Sequence, residues 1–262
     1  MPTPNFDELW EVADALADAA RAETLKLFRA VDLVAESKRA DFDPVTVADR
    51  SAEEAMRAIL AEHRPDDAIL GEEHGSKSGT TGLTWVLDPI DGTRGFISGT
   101  PTWGVLIAVS DADGPILGVV DQPYIGERFY GGGGRSDMTG PTGVRSLGVR
   151  RVEALKDATL FTTFPEVGSL DERKRFERVA GEVKLTRYGC DCYAYALLAA
   201  GHVDLVIEAG LQPYDIQAPI AVIEAAGGRI TTWSGAPAHE GGQVVAAGTP
   251  ELHAAALALL NA

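Results

Sequence analysis

Between Val203 and the C-terminus the chain switches repeatedly between short apolar runs and helical stretches, which restricts it to folds that set strands against helices. Val203–Glu208 reads as a strand, Pro219–Ala226 as a helix closed by Gly227-Gly228, and Arg229–Trp233 and Val244–Ala247 as further strands. Thr249-Pro250 supplies an N-cap followed by proline in the first turn, and the helix it opens turns Leu252, Ala256 and Leu260 inward. Upstream, Leu9, Ala13, Leu16, Ala20 and Leu27 fall near helical period, so Phe6–Phe28 reads as an amphipathic helix. A second helix is expected to open on the capping-box pattern Ser51-Ala52-Glu53-Glu54 and to run through Ile59 until Pro65 stops it, leaving Asp49 just ahead of its N-terminus. Thr84–Leu87 is a short strand, and Val105–Val109 with Ile116–Val120 form a hairpin across Asp111-Ala112-Asp113-Gly114. Gly131–Gly134 opens a glycine-rich stretch reaching Gly143; lacking the Gly-Lys-Ser/Thr ending of a nucleotide loop, it reads as a flexible connector. The natural division falls there, giving halves 1–143 and 144–262 that pack as one unit.

Composition narrows the function. With 23 Lys plus Arg against 39 Asp plus Glu, the net charge of −16 disfavours nucleic acid or an anionic membrane surface as partner. The 45% hydrophobic content of 262 residues is enough for a substantial core. The longest apolar stretches, Val105–Val109 and Ala254–Leu260, fall far short of the roughly 20 residues that cross a bilayer. The N-terminus MPTPNFDELW has no basic region followed by an apolar run, so the default expectation is a cytoplasmic protein. Cys190 and Cys192 are too close in sequence for an ordinary disulfide and the five histidines are scattered, which argues against zinc or redox chemistry.

The chemistry concentrates at Asp88-Pro89-Ile90-Asp91-Gly92-Thr93, directly after a strand. Two carboxylates three residues apart can converge in a tight turn, and Gly92 lets backbone N–H groups approach a ligand closely. A turn with aspartate caps explains the hexapeptide equally well. Three further acids have bland alternatives of their own: Glu72 in Gly71-Glu72-Glu73 as a solvated surface acid, and Asp49 and Asp215 as helix N-caps.

Taken together, the first helix, Val45-Thr46 with Asp49, Gly71-Glu72-Glu73, Asp88–Thr93, and Tyr214-Asp215 followed by Glu224-Ala225-Ala226-Gly227-Gly228 resemble the inositol monophosphatase superfamily over nearly the whole chain. Tyr214 stands where the family usually has Trp, and the Glu-Ala-Gly-Gly motif carries one extra alanine; neither change removes a ligand. The resemblance implies an α/β fold with α-β-α-β-α layering, a homodimer, and hydrolysis of a small phosphomonoester with two or three Mg2+ ions. It implies Glu72, Asp88, Asp91, Asp215 and the Ile90 carbonyl as magnesium ligands, Thr93 and Asp49 as the pair that activates water, and the N–H groups of Gly92 and Thr93 as phosphate donors.

Within the superfamily, Gly189-Cys190-Asp191-Cys192-Tyr193-Ala194-Tyr195, Leu211–Ile216 and Phe96-Ile97-Ser98-Gly99 look most like the histidinol-phosphate phosphatases of histidine biosynthesis. Asp191 and Glu208 would then contact a cationic amino alcohol, against plain alternatives of a helix N-cap for Asp191 and a strand-end surface acid for Glu208. Inositol phosphate or a range of sugar phosphates is the rival substrate class. A catalytically silent metal-binding regulator would be expected to lack a ligand or Thr93, and none is missing.

Overall fold

A computed structural model of the protein describes residues 4–31, 33–37 and 44–262. Residues 1–3, which begin the stretch read against a leader segment, lie outside it. Helix α1 (Phe6–Leu27) buries Leu9, Ala13, Leu16 and Ala20 as their spacing predicts, while Leu27 joins a small separate cluster with Phe28, Phe96 and Trp103. A short antiparallel ribbon, β1 (Ala35–Ser37) with β2 (Pro44–Thr46), leads into α2 (Val47–His63).

The expected start of α2 at Ser51 is one turn too late. Thr46 accepts from Ala48 N–H and Asp49 accepts from Thr46 N–H, so this earlier pair closes the capping box and places Asp49 inside the first turn.

Eight strands follow in one sheet: β3 (Ala68–Gly71), β4 (Gly75–Lys77), β5 (Thr84–Asp91), β6 (Gly104–Asp111), β7 (Gly114–Gln122), β8 (Glu127–Gly132), β9 (Arg135–Gly140) and β10 (Gly143–Ser146). Their order is β10-β9-β8-β7-β6-β5-β3-β4, antiparallel except for the parallel pair β3/β5, and α3 (Thr93–Ser98) interrupts the sequence after β5. The hairpin expected at Asp111–Gly114 is β6/β7.

The glycine-rich stretch after Gly131 is not a connector: it is the β8/β9 hairpin and the strand beyond it. Glycine is needed at position 131 for close approach, since a Cβ there would stand 2.3 Å from Ala221 O and 2.3 Å from the Val222 Cα of a helix lying across the strand.

The second sheet holds β11 (Thr159–Thr162), β12 (Leu185–Tyr188), β13 (Leu205–Leu211), β14 (Arg229–Thr232) and β15 (Gly242–Ala247) in the order β12-β11-β13-β15-β14. Between them run α4 (Leu170–Ala180), α5 (Cys192–Ala199) and α6 (Pro213–Ala225), and α7 (Pro250–Leu260) ends the chain. Helix α6 starts six residues before Pro219, where its start was expected. Pro213 occupies the first turn, where a missing N–H costs nothing, and Pro219 is accommodated inside the helix.

Burial defines the layers. Helices α1 and α2 cover one face of the first sheet through Leu16, Met56, Trp85, Leu87 and Ile107. The other face, with Val86, Leu106 and Val120, packs on α5 and α6, which in turn meet Val206 and Val244 of the second sheet. Helices α4 and α7 close the outer face of that sheet over Leu160, Phe176, Trp233 and Leu252. The result is the expected five-layer α-β-α-β-α arrangement. No described helix is long and apolar enough to cross a membrane.

Candidate active site

The site forms where β5 stops pairing regularly. Its ladder with β6 shifts register between Asp88 and Asp91, and this bulge bends the strand end so that both carboxylates turn to one side. Asp88 is buried and accepts from the Ile90 N–H at 3.0 Å. Asp215, three residues into α6, accepts from Gln212 N–H at 2.7 Å. One carboxylate oxygen each from Asp88, Asp91 and Asp215 lies within 4.8 Å of the others.

Glu72 follows β3, and its N–H extends the parallel ladder to the Leu87 carbonyl beside Asp88. Its turn is held from beneath by Glu53 of α2. That wholly buried carboxylate accepts from Glu73 N–H at 2.7 Å, His74 N–H at 3.2 Å and Arg57 Nε at 2.7 Å.

This cluster is electrostatically uncomfortable in isolation. Burial, followed by the charges of Glu72, Asp91 and Asp215, pushes the Asp88 carboxyl well up from its ordinary range. Burial and the charge of Asp215 likewise push Asp91 up to about 7, against hydrogen bonding from Cys192. Converging oxygen donors that raise one another's proton affinity are the set a hard divalent cation relieves, so these residues fit a magnesium-type ion.

Behind the cluster stand Thr93 and Asp49. Asp49 is buried; its Oδ2 takes Thr46 N–H at 2.8 Å and Thr46 Oγ1 at 2.6 Å, and its Oδ1 faces Thr93 Oγ1 at 3.3 Å. The same Thr93 hydroxyl lies 3.2 Å from the Ile90 carbonyl, so its single proton is shared between two acceptors. Gly92, at φ +86, begins α3 in the left-handed region, and a Cβ there would press to 2.8 Å from Asp191 Cγ.

The opposite wall comes from the second half of the chain. Asp191 occupies the N-cap position of α5 at φ +46, yet its side chain does not cap the helix. Asp91 does so instead, its Oδ2 accepting from Cys192 N–H at 2.6 Å between the end of β5 and the start of α5. Burial, then the charge of Asp91, pushes Asp191 up to about 7, with Arg94 opposing. Glu208 is a buried residue of β13, not a surface acid at a strand end. It accepts from Thr163 N–H at 2.7 Å, Thr163 Oγ1 at 2.9 Å and Thr162 Oγ1 at 3.2 Å, while burial pushes it up to about 7.

Glu72, Asp88, Ile90, Asp91, Gly92, Thr93, Asp191, Glu208 and Asp215 all line one cavity of about 290 Å³, with Asp49 enclosed behind Thr93. Sequence reasoning missed Arg94, Thr163, Phe164 and Tyr195, which line the same cavity. Arg94 stacks over Phe164 at 5.1 Å and directly follows Thr93; Tyr195 lies four residues beyond Asp191, one helical turn away, and that spacing was the available signal.

The sequence profile of the Inositol monophosphatase family matches residues 5–262. The chain belongs to the inositol monophosphatase family. Among curated relatives, it is 45% identical to the Arabidopsis thaliana bifunctional phosphatase IMPL2, chloroplastic, over 98% of this chain and 76% of that one. It is 37% identical to a histidinol-phosphatase of Streptomyces coelicolor over 98% of both. An inositol monophosphatase from Zymomonas mobilis superposes with a TM-score of 0.87 at 38% identity, covering 99% of this chain and all of the other. As a member of this metal-dependent inositol monophosphatase family, the protein is a phosphatase, a hydrolase of phosphoric monoesters, with an acidic cluster able to bind metal.

Proposed function

We propose that the protein hydrolyses L-histidinol phosphate to L-histidinol and phosphate, a step of histidine biosynthesis, with magnesium as cofactor. The observation that carries this reading is the second acidic pair. Asp191 and Glu208 share the cavity with the Asp88–Asp91–Asp215 cluster but lie outside it, on the wall where the alcohol portion of a substrate would rest. Histidinol presents an ammonium and an imidazole, which suit a buried and a half-buried carboxylate better than uncharged hydroxyls do. The histidinol-phosphatase relative, matched over nearly its whole length, supports the same reading.

In this reading Glu72, Asp88, Asp91, Asp215 and the Ile90 carbonyl hold two or three Mg2+ ions. When bound, the metal supplies positive charge to the phosphoryl oxygens and lowers the pKa of water. The Thr93 hydroxyl orients the attacking water and passes a proton to Asp49, to which it is already directed. The N–H groups of Gly92 and Thr93 donate to the phosphoryl oxygens at the start of α3. Water oxygen bonds to phosphorus, the ester P–O bond breaks, and the departing alkoxide takes up a proton.

A rival reading, hydrolysis of inositol 1-phosphate or other sugar phosphates, draws on the similarity to the Zymomonas mobilis enzyme. Steady-state assay of purified protein with magnesium on both substrates tests the choice. A kcat/KM for histidinol phosphate at least tenfold above that for inositol 1-phosphate is expected, on the scale of one charge-assisted contact. Equal efficiency would leave the phosphatase and remove the histidinol assignment.

A further inference from the structure

Tyr195 is 3% exposed, and its hydroxyl has no hydrogen-bond partner among the described residues. A buried phenol usually finds one, because an unpaired hydroxyl forfeits its hydration without compensation. Its ring belongs to the wall of the active-site cavity, on α5, the helix that follows Asp191. Burial first, and then the charges of Glu208, Asp91 and Asp215, hold the phenolic proton in place, so the hydroxyl lies within the field of carboxylates from both walls. Where metal takes up the charge of Asp91 and Asp215, Glu208 still lies outside the cluster, and the electrostatic complement it leaves at this position is a cation that carries N–H donors.

Position then selects which cation. In the phosphate ester of a vicinal amino alcohol the ammonium is attached to the carbon next to the phosphorylated one, so it stays close to the phosphate. Tyr195 lines the same cavity as Asp91, Asp215 and Glu208, which places it to meet such a group.

We propose that Tyr195 is a specificity-determining residue whose phenolic oxygen accepts a hydrogen bond from the ammonium of a phosphorylated vicinal amino alcohol. This rests on the histidinol phosphate reading above. The ammonium has three donors, so Tyr195 adds to the contacts of Asp191 and Glu208 and replaces neither.

The test is Tyr195→Phe, which removes one oxygen that no described protein group uses. Two substrates are compared: histidinol phosphate and 3-(imidazol-4-yl)propyl phosphate, which lacks only the amino group. Wild-type protein is expected to favour the amino substrate. In the variant the ratio of the two kcat/KM values is expected to fall about 10- to 100-fold, mainly through a higher KM for histidinol phosphate, the loss expected for a hydrogen bond to a charged group. The metal-free variant is expected to melt no lower than wild type, because an unpartnered hydroxyl contributes nothing favourable to folding.

An unchanged ratio, with or without equal loss on both substrates, overturns the role of Tyr195 and means that its hydroxyl does not meet the ammonium. A lower melting temperature with equal losses identifies a structural residue and also overturns it. Failure of the wild type itself to favour the amino substrate refutes the histidinol phosphate reading, and the Tyr195 proposal falls with it.

Discussion

Asp91 faces two demands at once, since one of its oxygens caps α5 through Cys192 N–H while the side chain also belongs to the three-carboxylate cluster. Asp91→Asn keeps the shape but offers one acceptor oxygen in place of two, so it cannot serve both. Turnover is expected to fall by about 10²–10³-fold, the scale on which a preorganised charge-stabilising group acts. Undiminished turnover at low magnesium would remove Asp91 from the metal site. Thr93→Ala belongs at the same scale. If its hydroxyl orients water toward Asp49, kcat drops by roughly 10²–10⁴-fold with little change in KM, whereas a change in KM alone would assign it to binding. The carboxylates were legible in the sequence because each ends an apolar run: Glu72 after Ala68–Gly71, Asp88 after Thr84–Leu87. Tyr195 was harder to read as a site residue: its one-turn spacing from Asp191 was the only signal, and an aromatic in an apolar helical segment looks like core until its neighbours are known.

Helix α2 carries two services on one face, one turn apart. Asp49 faces Thr93, and Glu53 holds the turn that presents Glu72. Glu53→Gln leaves one acceptor and an amide NH₂ against N–H donors of the turn and of Arg57, so the turn loosens without a cavity forming. The magnesium concentration at half-maximal thermal shift is expected to rise about tenfold, as for other changes to groups that orient a ligand; an unaltered titration would reduce Glu53 to packing. At Gly131 the backbone of α6 crosses so closely that Gly131→Ala is expected to cost about 1–3 kcal/mol or more in urea unfolding. The same crossing explains a failure of sequence reading. Glycine for close approach and glycine for flexibility look alike in a sequence, and only the partner helix separates them. The starts of α2 and α6 were misplaced for a related reason: Thr46/Asp49 competed with a second plausible capping pattern, and a proline tolerated inside a helix looked like the beginning of one.

The five layers enclose several carboxylates whose protonated form is favoured by folding: Asp88, Asp91, Asp191 and Glu208 are all raised above their ordinary range. For such groups the folded state binds more protons than the unfolded chain. Their stabilising contribution is therefore complete below the ordinary carboxylate pKa of about 4 and is lost as pH rises through about 7, the value reached by Asp91, Asp191 and Glu208. A divalent ion that binds the ionised cluster should restore what is lost. The rise in melting temperature on adding magnesium is thus expected to be larger at pH 8 than at pH 5, with sodium chloride of equal ionic strength as control for screening of the net charge of −16. Equal shifts at both pH values would mean that the ion binds elsewhere. The 2.6 Å bond from Cys192 N–H to Asp91 Oδ2 also sets a length. Asp91 stands at the end of a strand in one sheet, and Cys192 opens the helix that bears Asp191 and Tyr195 on the far wall. The span of the cavity is therefore gauged by one short strut between two adjacent layers, in addition to the packing of the first sheet on α5. Slips of the outer helices against their sheets leave this contact in place, so the two walls keep their separation.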